Sequence, residues 1–149
     1  MRLDWLQIPN YGNLRDFSID FDKDQPTTVL IGRNGSGKSN LIESIVEIFR
    51  ELESIQVPIF AYQLRYVCRE HRIEIDADPE RKNKRLKIKV DGKSVTQKAF
   101  KEKLDDYLPS YVFAYYSGWS SRLESHFDKP TRDYYREILN SKTDEMPLR

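Results

Sequence analysis

Gly32-Arg33-Asn34-Gly35-Ser36-Gly37-Lys38-Ser39 is the stretch on which the reading of this chain turns. Its spacing is G-x-x-x-x-G-K-[ST], the phosphate-cradling P-loop. Before it, Thr28-Val29-Leu30-Ile31 is a short apolar run that predicts a buried strand. After it, residues 40–49 carry apolar side chains at helical spacing. Three glycines let the backbone curl so that several N–H groups point at phosphate oxygens. The helix that follows would direct its positive end at the same oxygens. Lys38 would reach the β- and γ-phosphates as a point charge, and Ser39 would ligate the Mg²⁺ that accompanies ATP. An ordinary glycine-rich turn between strand and helix would need the glycines, but it gives no packing reason for Lys-Ser at the helix start.

The flanks narrow the reading. Asn34-Gly35-Ser36-Gly37-Lys38-Ser39-Asn40-Leu41-Ile42-Glu43 resembles the P-loop of the SMC/RecF-type branch of ABC ATPases, which includes OLD-type proteins and many phage-defence ATPases. Residues 6–21 are similar to that family's opening, where a strand, a short turn and an alternating strand precede the P-loop strand. Leu14, Phe17, Ile19 and Phe21 supply the apolar side of that second strand on periodicity alone. Asp22 to Pro26 predicts the turn before the P-loop strand. The resemblance is specific over roughly residues 1–50. It implies an α/β fold, a P-loop NTPase of ABC type, with the chain as an N-terminal lobe carrying an antiparallel β-subdomain. A GTPase is disfavoured, because the chain has no Asp-x-x-Gly switch and no Asn-Lys-x-Asp motif.

The chain has 149 residues, of which 33% are charged and 38% hydrophobic. That bounds it to a single globular domain with a polar surface. No run approaches membrane-spanning length, and the start has no signal-like apolar stretch, so a cytoplasmic protein is expected. A single cysteine, Cys68, excludes an intramolecular disulfide and reads as a small buried strand residue. His71 and His126 lack metal-like spacing. The net charge is only +1, but residues 80–103 hold ten Lys or Arg and three Asp or Glu, a local +7. Arg85, Lys87 and Lys89, on one face of an alternating strand, are the candidate contacts to DNA phosphates, extended by Lys82 and Lys84. A solvated hairpin face is the competing explanation.

Farther along, 54–58 predicts a break, 59–68 a long strand, 72–76 and 85–90 alternating strands, and Asp91-Gly92 a hairpin turn. Leu86, Ile88 and Val90 form the buried side of that meander. Lys98 to Tyr107 predicts a helix ended by Pro109, Tyr111 to Tyr116 a buried strand, and Arg132 to Leu139 a short helix.

The resemblance assigns further roles. Asn34 to Asn40 would surround the phosphates, Arg15 would lie near the base, and Asn13 near the ribose. Ser117, in the loop after the 111–116 strand, stands where similar ATPases place a metal- and water-contacting glutamine, and would contact Mg²⁺ directly or through water. Family members also need an Asp-Glu pair after an apolar strand and an LSGG-like signature, and this sequence has neither. The chain therefore reads as one incomplete lobe. Its expected partners are ATP, a C-terminal lobe on the same or a separate chain, a second copy in a head-to-head dimer, and DNA. The alternative is a nucleotide- or DNA-binding module, or a split subunit, without turnover of its own.

Overall fold

A computed structural model describes residues 1–25 and 27–112, and these belong to one compact unit, Met1–Val112. Six strands are described: β1 (Arg2–Tyr11), β2 (Leu14–Asp20), β3 (Tyr62–Cys68), β4 (His71–Ala77), β5 (Leu86–Val90) and β6 (Lys93–Val95). They form one antiparallel sheet in the order β2-β1-β3-β4-β5-β6. Three helices accompany them: α1 (Lys38–Ser54), α2 (Gln97–Lys101) and α3 (Leu104–Tyr107).

Period-two alternation sets the faces of the sheet. Leu6 and Ile8, then Tyr62, Leu64, Tyr66 and Cys68, then Ile73, Ile75 and Ala77, then Leu86, Ile88 and Val90 are buried together. Helix α1 joins that core with Leu41, Ile48, Phe49 and Leu52, and the Phe49 ring meets Tyr66 edge-on at 5.4 Å. Each of the buried Leu, Ile, Val and Phe side chains contributes about 1.5–3 kcal/mol. The expected meander and its buried Leu86, Ile88 and Val90 are present, and Cys68 is buried on β3.

Three hairpins turn on two residues each: Gly12-Asn13, Arg69-Glu70 and Asp91-Gly92. Asp91 and Gly92 take φ of 50° and 78°, as the Asp-Gly signal predicts. Arg69 and Glu70 take φ of 42° and 73° with no glycine to ease them. Arg69 compensates by tertiary bonding. Its guanidinium donates to Asp105 O, to Leu108 O at 2.7 Å and to Ser110 Oγ at 2.7 Å, tying the turn to α3 and the residues after it.

Two expectations are corrected. The single helix over 98–107 is two short ones, because Lys103 leaves helical geometry at φ −128°. The break lets Tyr107 stack on Phe100 at 5.2 Å. Thr28 to Ile31 joins no strand ladder among the described residues, and it is not buried: Val29 is 75% and Ile31 93% exposed, while Leu30 alone packs partly on the core. The run is apolar, but no described strand covers it. The expected strand over 111–116 falls almost wholly, and the 132–139 helix and Ser117 fall entirely, outside the described residues.

Candidate nucleotide site

The loop is built between Gly32 and the first turn of α1. Gly35 and Gly37 take φ of 81° and 97°, the left-handed conformations that let the chain double back. Gly37 caps α1, and its carbonyl accepts from Leu41 N at 2.8 Å. The first turn of α1 holds no acidic residue, so no side chain of that turn offsets the positive helix end. Asn34, Gly35, Ser36 and Ser39 are exposed, as a surface that receives a ligand requires.

Lys38 folds back over the loop. Its Nζ donates to Gly32 O at 2.6 Å and Arg33 O at 2.8 Å. Ser36 N also donates to Arg33 O, at 3.2 Å. The ammonium thus sits at the centre of the loop, where it can exchange carbonyl partners for phosphate oxygens. The donor set fits ATP with Mg²⁺: backbone amides and an ammonium for the phosphates, the Ser39 hydroxyl for a hard cation. Among the described residues no group of three or more Asp, Glu, His or Cys could hold a metal, and Ser39 is the loop hydroxyl that would ligate the cation.

Of the residues expected near base and ribose, Asn13 is brought to the loop. Its Nδ2 donates to Gly35 O at 2.5 Å, and its Oδ1 accepts from Asn40 Nδ2 at 2.6 Å. Arg15 instead closes on its own turn, donating to Gly12 O at 2.8 Å and Leu14 O at 2.7 Å.

Farther along α1 lies a feature not read from the sequence. Glu47 and Glu51 are buried under the helix, 0% and 2% exposed. Glu47 pairs with Arg50, and Glu51 accepts from Ile59 N at 2.8 Å. Glu51 Oε2 and the hydroxyls of Tyr62 and Tyr66 have no hydrogen-bond partner among the described residues. Burial, with the Glu47 charge adding to it, lifts the Glu51 carboxyl to about 7 against the bond from Ile59. Burial likewise raises the Tyr62 and Tyr66 phenols. The signal was present: residues 44, 47, 48 and 51 share the helix face that carries Leu41 and Leu52.

The basic stretch is less basic once folded. On the open face of the sheet, Trp5, Arg65, Glu74 and Lys89 are aligned across the strands, and Gln63, Asp76 and Lys87 form the adjacent row. Lys87 lies 3.4 Å from Asp76, which also pairs with Arg81 at 2.5 Å. Partial burial opposes ionisation of Asp76, but Arg81 and Lys87 together hold its carboxyl below the usual range. Arg85 Nε donates to Arg81 O, and the Arg65 guanidinium lies over the Trp5 ring at 4.7 Å. Acidic and basic side chains therefore alternate there.

Comparison with known proteins agrees with the loop. A 45-residue stretch is 42% identical to the DNA replication and repair protein RecF of Lactobacillus acidophilus. The match covers 30% of this chain and 12% of that protein. The likeness to an SMC/RecF-type lobe read from the P-loop and its flanks is thereby supported at the level of sequence. The model of the AAA ATPase domain family matches residues 1–147, and the chain belongs to that family.

Proposed function

We propose that this chain is the N-terminal, ATP-binding lobe of an ABC-type ATPase of the SMC/RecF kind, coupled to DNA transactions. The observation that carries the reading is the position of Lys38 Nζ, within 2.8 Å of two loop carbonyls and beside the exposed residues 34–36. Residues 34–39 would hold the phosphates and Ser39 the Mg²⁺, which supplies charge neutralisation between phosphate oxygens. Exposed Val29 and Ile31, beside the loop, support a lobe whose apolar P-loop segment is covered by a complementary lobe. The DNA link rests on the RecF likeness and on Lys89 and Lys87 at the open sheet face.

Calorimetry with a non-hydrolysable ATP analogue and Mg²⁺ tests the reading. Binding is expected, and Lys38→Ala should weaken it at least tenfold, about 1.4 kcal/mol or more. Equal affinity in both proteins would remove Lys38 from the site and the reading with it.

A further inference from the structure

We infer that Asn13 and Asn40 form an amide latch that holds the P-loop in its phosphate-receiving shape from outside the loop, which makes Asn13 a positioning residue. The inference rests on the nucleotide-binding reading above. Three segments meet at the latch: the β1–β2 turn through Asn13, the first turn of α1 through Asn40, and the loop apex through Gly35. The bonds run in series, Asn40 Nδ2 to Asn13 Oδ1 at 2.6 Å and Asn13 Nδ2 to Gly35 O at 2.5 Å. Only a side chain with both a donor and an acceptor can stand in the middle of such a relay, and a carboxamide has both.

The apex is where external support matters. Gly35 has φ of 81° and open space around its Cα, so neither sterics nor packing fixes its peptide. That peptide is planar and trans. Holding Gly35 O toward Asn13 therefore sends the Ser36 N–H the opposite way, toward Arg33 O at 3.2 Å, where Lys38 Nζ also converges. The latch thus orients an amide of the loop together with the lysine partner.

Two glycines mark the same place. A Cβ on Gly12 would overlap the Asn40 amide, and one on Gly37 would lie 2.7 Å from Leu14 Cδ2 and 3.0 Å from Asn13 Oδ1. Gly12 lies outside the P-loop motif, and the approach of Asn40 accounts for its missing side chain. Asn40 is 8% exposed within the first turn of α1, although asparagine is a poor helix former.

The test pairs amide hydrogen exchange on the nucleotide-free chain with calorimetry using the ATP analogue and Mg²⁺. Asn13→Ala should speed exchange at Ser36 by at least about tenfold and weaken the analogue at least about fivefold. The Leu41 amide in α1 should keep its wild-type rate. Asn13→Asp, which can accept from Asn40 but not donate to Gly35, should loosen Ser36 as the alanine variant does. Asn13 is exposed, so neither variant at this position should prevent folding. Wild-type exchange at Ser36 in Asn13→Ala would overturn the latch, even with Lys38-dependent binding intact. Faster exchange spread equally over Leu41 and the sheet would also overturn it. Faster exchange confined to the loop, in a chain that binds no analogue, would keep the latch and discard the nucleotide reading instead.

Discussion

Glu51 is the residue whose chemistry departs furthest from its sequence expectation. A surface glutamate on an amphipathic helix would titrate near 4.5, but burial raises this carboxyl to about 7. The folded chain therefore binds a proton that the unfolded chain has released between those two values. Linkage then requires stability to be greatest below about 4.5 for this group, and to fall as pH rises toward 7. Glu47 raises and Arg50 lowers the same carboxyl through their charges, and the Glu51 charge in turn raises the Tyr62 phenol. Glu51→Gln keeps an acceptor for Ile59 N and removes the titration. It should raise the denaturation midpoint at pH 8 more than at pH 5, by on the order of 1–3 kcal/mol in stability. Urea titrations at the two pH values measure it, and an equal effect at both would refute the assignment.

The Asp91-Gly92 hairpin was legible because its dipeptide carries the left-handed conformation in its composition. The Arg69-Glu70 turn was not, because its support comes from Leu108 and Ser110, some forty residues away in sequence. Glu70→Gly relieves a φ of 73° and should stabilise the chain by about 0.5–1 kcal/mol, while Arg69→Ala should cost about 1–2 kcal/mol. Thermal melts of both variants check the pair, and a neutral Arg69→Ala would show that the turn stands without its anchor. The same contrast governs the site. The loop, α1, β2 and the meander were readable because local spacing specifies them. The Asn13–Asn40 contact was not, since it joins residues 27 apart with no periodic signature. Nor could the charge count over 80–103 show that Asp76, on another strand, would neutralise part of it.

For the molecule as a whole, the sequence offers a phosphate cradle without an apolar run ending in Asp-Glu and without a signature motif; its Asp144-Glu145 follows the polar residues 140–143. The isolated chain should therefore bind ATP yet turn it over negligibly, because nothing identified positions the attacking water. A phosphate-release assay checks this. Turnover of about 1 s⁻¹ that Lys38→Ala abolishes would place a catalytic carboxylate within this chain, since enzymes commonly work at about 1–10³ s⁻¹.

Val29 and Ile31 add a practical consequence. Two β-branched side chains, 75% and 93% exposed on a segment outside every described ladder, present an adhesive edge to any neighbouring molecule. Concentrated solutions of the chain should therefore self-associate and eventually precipitate. Ile31→Lys, which places a charge on that edge, should keep the chain monodisperse in sedimentation at concentrations where the wild type has begun to aggregate.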